Sequence, residues 1–350
     1  MLGTRPVPAV DPHVPLEKRL TRIVARTLGT PIGLVTMWAL RLTAKQAGVA
    51  LMYHSVEHRA GDPARELVPP HASAVFEMQV RHVCRRYRVV PAATLLDEAR
   101  RRRRGRRFPV AITFDDDLAC HATVALPILR MLGATATFFL SGASLDRPFA
   151  FHYERLQRAY DEGLDDVASI VLGKEGSQPR PIHELGLAME QMSPDERDAA
   201  SARLGDALGP DPPDAGIRAA QVRGLSEAGM TIGFHTRRHD SLSWLDEARL
   251  HRALSVGVDE LAEAAGQRLT VIGYPHGRAD ERVAAAAREA GFLAGFTTQE
   301  VAVTPGSDPL LLGRVGPSLR SAGALSIQLA LALLTSGNAR STQAPARPAS

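Results

Sequence analysis

Cysteine is scarce in this chain of 350 residues. Its two cysteines, Cys84 and Cys120, lie far apart and show no paired-ligand spacing. This excludes a disulfide framework and argues against a zinc site built on cysteine. We therefore expect two buried or half-buried thiols in a reducing compartment.

Long hydrophobic runs are also lacking. The most apolar early stretch, residues 30–45, is interrupted by Arg41 and is shorter than the ~20 residues that cross a bilayer. We expect residues 1–46 to form an N-terminal helical segment that packs on the protein, with contact at a membrane surface as the alternative. The chain begins without an apolar signal core, so we predict a cytoplasmic location, with the inner membrane face as the alternative.

Positive charge exceeds negative charge only slightly, giving a net charge of +4. Much of the excess lies in the arginine run at residues 100–107. No aromatic residue is interleaved with these arginines, so we expect no nucleic-acid partner. We predict a solvated loop here, and the alternative is contact with anionic lipid, phosphate or acidic glycan.

Short apolar runs alternate with helical patterns from about residue 47 onward. The runs typical of buried strands are residues 49–54, 110–114, 135–140, 231–235, 270–275 and 293–298. Strands that alternate with helices predict an α/β fold with a parallel sheet, either doubly wound or closed into a barrel. We predict a main domain over residues 47–320 with a helical insertion at 146–220. A C-terminal helix and disordered tail are expected over 321–350.

Polar residues stand at the ends of four predicted strands. His54 ends the first run, Asp115 and Asp116 follow the second, and His235 ends the fourth. The turn "YPHG" at residues 274–277 ends the fifth. Because the carboxyl ends of parallel strands share one face of the fold, this pattern predicts an active site there.

The residue types at these ends indicate metal-assisted hydrolysis. His235 and His239 are four apart, so both imidazoles can face one ion. Two histidines and a carboxylate leave positions open for water and substrate, a set that suits zinc or non-haem iron. Of the adjacent acids Asp115 and Asp116, one can bind metal while the other accepts a proton, and His54 is the candidate proton donor.

These motifs resemble those of the polysaccharide deacetylase family, carbohydrate esterase family four, also called the NodB-homology domain. "TFDDD" at residues 113–117 resembles its Thr-Phe-Asp-Asp-Gly motif, and "HTRRH" at 235–239 resembles its metal motif. "YPHG" resembles its Arg-x-Pro-Tyr motif. "MYHSV" at residues 52–56 resembles the opening of the permuted poly-N-acetylglucosamine deacetylase branch. The likeness extends over roughly residues 49–145 and 221–316.

The resemblance implies a deformed (β/α) barrel with about seven parallel strands and a divalent metal, most often Zn²⁺. It implies that Asp115 is the general base. It also implies three metal ligands, namely Asp116, His235 and His239.

Two further roles follow from the same resemblance. In the permuted branch the histidine at the position of His54 is the general acid. The turn formed by Tyr274, Pro275 and His276 would bind substrate and the oxyanion, with the backbone amide of His276 as donor.

The chain departs from the family pattern at four positions. Asp117 replaces a Gly, and Gly273 stands where an Arg commonly supports the catalytic Asp. His276 replaces a Tyr, and Asp240 stands where a Pro often follows the second metal His. The resemblance therefore predicts an Asp115 without its supporting Arg, and it leaves Asp117 without a role.

Together these observations predict a metal-dependent hydrolase that removes an N-acetyl group from an N-acetylated sugar. The sugar would belong to a polysaccharide, an oligosaccharide or a glycolipid precursor. The alternatives are an O-acetyl carbohydrate esterase and a catalytically impaired glycan-binding barrel. A non-haem iron oxygenase is disfavoured because its His-x-Asp order is not reproduced.

Overall fold

The computed structural model describes residues 29–335 with the exception of residue 177. The predicted tail and the first 28 residues lie outside the described residues. The helices are α1 (Gly29–Arg41), α2 (Ser73–Arg86), α3 (Leu95–Arg101), α4 (Leu126–Met131), α5 (His152–Asp161), α6 (Val167–Leu172), α7 (Ile182–Gln191), α8 (Pro194–Leu208), α9 (Ala219–Glu227), α10 (Glu247–Ser255), α11 (Val258–Ala265), α12 (Glu281–Glu289) and α13 (Ala322–Thr335). The strands are β1 (Val49–Tyr53), β2 (Val56–Glu57), β3 (His71–Ala72), β4 (Arg88–Val89), β5 (Pro109–Asp115), β6 (Thr137–Leu140), β7 (Thr231–Phe234), β8 (Val271–Gly273), β9 (Ala294–Phe296) and β10 (Arg314–Val315).

Seven strands form one parallel sheet in the order β10-β1-β5-β6-β7-β8-β9. The short strand β4 also pairs with β5. A parallel bridge between Phe296 and Leu312 places the segment before β10 against β9, so the sheet nearly closes on itself. The predicted deformed (β/α) barrel with about seven parallel strands is confirmed.

Side chains alternate between the two faces of β5, and this alternation positions its last residue. Val110, Ile112 and Phe114 belong to the hydrophobic core that includes residues of the surrounding helices. Ala111 belongs to a second hydrophobic core, which also includes residues of β1, β6, β8 and β9. Because the side-chain period of a strand is two, Asp115 lies on the same face as Ala111. The strand therefore directs one carboxylate to the inner face at its carboxyl end.

The helices α1 and α13 pack against each other. Gly33 lies so close to Ser326 that a Cβ at Gly33 would be 2.9 Å from the backbone carbon of Ser326. Lys45, just beyond α1, donates to the carbonyl of Leu334 at 3.0 Å. Across the described residues, none of the helices combines the length and the apolarity that crossing a bilayer demands.

The stretch predicted as a helical insertion contains the four helices α5 to α8. These helices share a hydrophobic cluster of their own, which includes Leu156, Val171, Leu185 and Leu204. The proposed boundaries of the insertion and of the main domain remain predictions.

Candidate active site

The carboxyl ends of the parallel strands surround one cavity of about 300 Å³. His54 follows β1, Asp115 ends β5, His235 follows β7 and His276 follows β8, and all four line the cavity. Because one edge of a parallel sheet collects the ends of its strands, side chains distant in sequence meet here.

Asp116, His235 and His239 form a buried cluster of metal-ligating groups. Their ligand atoms all lie within 4.8 Å of one another. Asp116 Oδ1 is 3.4 Å from His235 Nε2 and 3.3 Å from His239 Nε2. The structure thus brings together the three residues that the sequence analysis expected as ligands.

The backbone around this cluster is held in unusual conformations. Asp116 has φ 71°, Thr236 has φ 56° and His239 has φ 53°. A positive φ is uncommon for any residue other than Gly and is an outlier for a β-branched residue such as Thr236. Each such conformation costs roughly 1–3 kcal/mol and persists where the surrounding structure enforces it, typically at functional sites.

The donor atoms of the cluster fit a cation. His235 Nδ1 contacts the carbonyl oxygen of Gly273 at 2.7 Å, so Nδ1 carries the proton and Nε2 presents a lone pair toward Asp116. Among the described residues, Asp116 Oδ1 is buried without a hydrogen-bond partner. Burial acts to raise the pKa of Asp116, but the imidazoles of His235 and His239 hold this pKa well below its usual range. A divalent cation would satisfy the carboxylate oxygen and the imidazole nitrogens together.

A fully buried guanidinium holds Asp115. Arg314 donates from Nη1 to Asp115 Oδ1 at 2.5 Å and from Nη2 to Oδ2 at 2.7 Å. Arg314 Nε donates to the carbonyl of Thr297 at 3.0 Å, which fixes the plane of the guanidinium. Burial alone would raise the pKa of Asp115, but the charge of Arg314 lowers this pKa below its ordinary value. Asp115 is therefore an oriented, ionised carboxylate next to the proposed metal ligands.

The expectation that Asp115 lacks a supporting Arg was wrong. Gly273 offers no room for a side chain, because a Cβ there would lie 2.7 Å from the ring of Phe139. The guanidinium arrives instead from β10, where Arg314 lies 5.5 Å from the centre of the Phe139 ring. The support of the carboxylate has thus moved to a different strand of the barrel.

His54 lies beside Asp115 in the lining of the cavity. Its Nε2 lies 4.0 Å from Asp115 Oδ2, and one third of its side chain is exposed. Burial lowers the pKa of His54, while Asp115 and Asp116 act in the opposite direction. Its distance from Asp115 and its partial exposure place the imidazole within reach of both the carboxylate and a molecule in the cavity.

The turn at residues 274–277 contributes His276 and Gly277 to the cavity lining, whereas Tyr274 and Pro275 are not lining residues. The Tyr274 hydroxyl donates to the carbonyl of Leu310 at 2.9 Å, so this side chain is used in packing. His276 has φ 56°, and its ring lies edge-on to that of His239 with the centres 4.6 Å apart.

Asp117 accepts hydrogen bonds from two serines, which the sequence analysis did not predict. Its Oδ1 accepts from the backbone N–H of Ser141, and its Oδ2 accepts from the Ser141 hydroxyl, both at 2.7 Å. The Ser144 hydroxyl donates to Oδ2 at 3.2 Å. Asp117 therefore ties the end of β5 to the loop after β6, and three adjacent acids are accommodated because each has different partners.

His121 is a residue that the sequence analysis missed. Its Nε2 lies 3.0 Å from the carbonyl oxygen of Asp115 and 2.9 Å from that of Asp116. One N–H shared between these carbonyls supports the backbone at the point where it turns. The only signal in the sequence is a histidine shortly after the acids, at the start of the next helix.

The helical insertion also reaches the cavity. His152 and Tyr153 of α5, and His183 and Glu190 of α7, are among the residues that line it. The Tyr153 hydroxyl is buried without a hydrogen-bond partner among the described residues. Burial and the neighbouring carboxylate of Asp116 raise the pKa of Tyr153, so the phenol keeps its proton and can donate it to a bound molecule.

The family model described as polysaccharide deacetylase matches residues 102–170 and 198–295. The chain belongs to the polysaccharide deacetylase family. The match includes the Asp115–Asp116 pair and the two histidines of the cluster, His235 and His239, and it omits residues 171–197. No curated protein matches the sequence.

Solved structures of other deacetylases share the fold. The deacetylase PplD of Streptococcus pyogenes, solved with acetate, aligns with a TM-score of 0.55 at 17% identity, over 80% of this chain and 96% of that one. IcaB from Ammonifex degensii aligns with a TM-score of 0.53 at 18% identity, over 81% and 97%. BC0361, a polysaccharide deacetylase from Bacillus cereus, aligns with a TM-score of 0.54 at 15% identity, over 81% and 69%.

Membership in this family makes the chain a hydrolase of the carbohydrate deacetylase type. Family members generally use a divalent metal, and the buried Asp116, His235 and His239 form a group that could bind one.

Proposed function

We propose that the chain is a divalent-metal-dependent N-deacetylase that acts on an N-acetylated sugar of a glycan or glycolipid precursor. One observation carries this proposal. Asp115, oriented and kept ionised by Arg314, is the neighbour of Asp116 in a cluster with His235 and His239. An oriented, ionised carboxylate next to a candidate cation site and a histidine suits metal-assisted hydrolysis.

Zn²⁺ is the proposed metal. Two imidazoles and one carboxylate are a common ligand set of catalytic zinc sites, in which the remaining positions stay open. A metal held by Asp116, His235 and His239 supplies Lewis-acid chemistry, which polarises a carbonyl and makes water more acidic.

Two residues of the chain carry out the two proton transfers of the reaction. Asp115 accepts the proton of the attacking water, because Arg314 keeps the carboxylate ionised. His54, whose Nε2 lies 4.0 Å from Asp115 Oδ2, donates a proton to the departing sugar nitrogen. The backbone amide of His276 is the proposed donor to the oxyanion.

The role of His54 separates amide from ester cleavage. An amine leaves only after it is protonated, whereas an alcohol depends less on a proton donor. We therefore expect His54→Ala to lower acetate release from an N-acetyl sugar about 10²–10⁴-fold and from an O-acetyl sugar much less. Equal losses on both substrates would remove His54 from the role of acid.

Acetate release tests the function itself. The zinc-loaded protein is assayed on N-acetylglucosamine oligomers and on O-acetylated glycans, with catalytic constants compared for both. Faster release from the N-acetyl substrates supports the proposal. Preference for O-acetyl substrates would make the chain an esterase, and binding without turnover would make it a glycan-binding barrel.

We also propose contact with an anionic membrane surface at the opposite end of the barrel. The side chains of Val35 and Trp38 on α1 are 68% and 65% exposed. Arg41 Nε donates to the carbonyl of Gly105 at 2.6 Å, which places this helix beside the arginine run that leads into the amino end of β5. Exposed apolar residues next to arginines are typical of interfacial helices. Co-sedimentation with phosphatidylglycerol vesicles tests the proposal, and equal binding to phosphatidylcholine vesicles would contradict it.

The predicted cytoplasmic location belongs to the same proposal. Fractionation of cells that produce the tagged chain would place it in the cytosolic or the inner-membrane fraction. Recovery from the medium would contradict this location.

A further inference from the structure

Helix α7 faces the cavity along its length. His183, Gly186, Leu187 and Glu190 all line the same cavity as Asp115. These residues are spaced i, i+3, i+4 and i+7, so they form one face of the helix. A single helix of the insertion therefore forms a wall across the ends of the barrel strands.

One part of this wall closes against the loop between β2 and β3. Gly186 has no side chain where Leu67 packs on the helix, and a Cβ at Gly186 would lie 2.8 Å from Leu67 Cδ2. The backbone N–H of Leu67 donates to Gln157 of α5 at 3.0 Å. Leu67 itself lines the cavity. The loop and the insertion thus meet without a gap for a second sugar ring at this point.

The end of the same wall is attached to the turn that carries His276. Arg278 Nη2 donates to Glu190 Oε2 at 3.1 Å, and Arg278 Nη1 donates to Ser241 Oγ at 3.1 Å. The guanidinium of Arg278 lies 4.4 Å from the centre of the Trp244 ring. Glu190 is therefore a carboxylate with a fixed orientation, and one third of its side chain is exposed.

A second, buried ion pair attaches the insertion to the metal-ligand loop. Arg197 of α8 contacts Asp240, and the two side chains are 3% and 7% exposed. Asp240 directly follows His239 and stands where the family often has a Pro. The departure from the family pattern at this position thus coincides with a contact that holds the insertion on the site.

These contacts bound the cavity on the side of α7 and of the turn at residues 274–277. Its volume of about 300 Å³ is at the lower end of the roughly 300–1,000 Å³ range of small-molecule sites. Such a space accommodates one sugar ring with its acetamide and not a run of linked rings. Helix α7 lies within residues 171–197, outside the part of the chain that the family model matches.

We propose that α7 restricts the enzyme to one N-acetylated sugar ring that enters end-on, as the terminal ring of a chain or the single ring of a glycoside, with Glu190 accepting hydrogen bonds from ring hydroxyls. This inference rests on the proposed deacetylase function. The remainder of the substrate stays outside the pocket, so chain length contributes little to binding.

Product analysis tests the inference directly. The zinc-loaded protein is incubated with N-acetylglucosamine oligomers of one to six rings and with the octyl glycoside of N-acetylglucosamine as the lipid-like arm. Tandem mass spectrometry then locates each free amine. We expect early products with a free amine only at a terminal ring and catalytic efficiency that changes less than about threefold between two and six rings. Free amines at interior rings would overturn the inference and leave the proposed function intact.

Binding to an inactive variant provides the second readout. Asp115→Asn protein loaded with Zn²⁺ is titrated with the same probes, and we expect dissociation constants that are independent of chain length. Affinity that rises about tenfold or more with length would indicate an open groove, and binding of none of the probes would also overturn the inference. Absence of acetate from every probe together with normal binding would instead contradict the proposed function.

The role of Glu190 is tested with a matched pair of variants on α7. Glu190→Gln is expected to raise KM about tenfold with a smaller change in kcat, because a hydroxyl contact is lost from substrate binding. Glu184→Gln lies on the exposed surface of the same helix, outside the cavity lining, and is expected to leave both constants unchanged. Equal kinetics for the two variants would remove Glu190 from the binding site.

Discussion

Arg314 and Asp115 form a bidentate ion pair between residues 199 positions apart, with side chains that are 0% and 3% exposed. The pair joins β10 to β5 across β1 in the sheet. It orients the Asp115 carboxylate and favours its ionised form, although Gly273 stands at the position where the family commonly has the supporting Arg.

Replacement of Arg314 tests this relationship. Arg314→Gln is expected to lower kcat about 10²-fold, because a misplaced catalytic group loses the productive geometry. It is also expected to destabilise the fold by about 3–5 kcal/mol, because a buried charge loses its partner. Arg314 lowers the pKa of Asp115, so the acidic limb of the kcat/KM profile should move to higher pH in the variant.

The control for this prediction is Arg288→Gln, which removes an exposed arginine that pairs with Asp308. Arg314→Lys should recover stability better than activity, because an ammonium cannot make the bidentate contact. An unchanged pH profile for Arg314→Gln would show that Asp115 does not depend on this guanidinium.

We predict that substitution of any residue of the Asp116, His235 and His239 cluster lowers the amount of bound metal. Asp116→Asn, His235→Gln and His239→Gln should each weaken Zn²⁺ binding about tenfold or more, because each removes one of the three proposed protein ligands. Elemental analysis of protein dialysed against limiting Zn²⁺ measures the effect. His251→Gln, at an exposed position of α10, serves as the control. Full metal content in all three variants would place the metal elsewhere.

Asp117 should contribute stability and not metal binding. Asp117→Asn presents an amide N–H₂ to the Ser141 or Ser144 donors, so at least one buried polar group loses its acceptor. We expect a loss of about 1–3 kcal/mol in the free energy of unfolding, measured by chemical denaturation, with normal metal content. The exposed Asp214→Asn is the control, and equal stability of the two variants would contradict the structural role.

Because His71 is buried, we predict that the free energy of unfolding falls in mild acid. Burial lowers the pKa of His71 to about 4 from 6.5, and its Nε2 contacts the carbonyl oxygen of Pro317 at 3.1 Å. In the unfolded chain His71 binds a proton below about pH 6.5, whereas in the folded chain it binds one only below about pH 4. The stability is therefore complete above pH 6.5 and is lost as the pH falls toward 4, by about 3 kcal/mol in total.

Unfolding measured between pH 7 and pH 4 tests this linkage. His71→Gln should show a shallower loss of stability in that range, because its amide does not titrate. His58→Gln removes an exposed histidine and should retain the slope of the parent protein. Parallel curves for His71→Gln and the parent protein would contradict the assignment.

The sequence predicted the strand ends and the ligand cluster for a simple physical reason. A short, apolar, β-rich run predicts a buried strand, and parallel strands bring their carboxyl ends together. Asp115 and Asp116 follow one run and His235 ends another, and the three residues met where these two positions indicated. The His235 and His239 spacing added the second imidazole without any knowledge of the tertiary structure.

Other parts of the site could not be predicted in this way. Arg314 lies on a strand of two residues, which is too short to show a periodic pattern. Glu190 reaches the cavity because of the ion pairs that attach the insertion to the barrel, and such contacts leave no local signal. Asp117 gained its role from serines that follow another strand, so its partners are apparent only in three dimensions.

The central claim is that Asp115 is the base beside a metal that Asp116, His235 and His239 hold. Acetate release from N-acetylglucosamine oligomers and bound Zn²⁺ should be measured on the same preparations of parent protein and Asp115→Asn. The account predicts acetate release by the parent, a loss of about 10²–10⁴-fold in the variant and equal metal content in both. Full activity in Asp115→Asn, or loss of its metal together with its activity, would contradict the account.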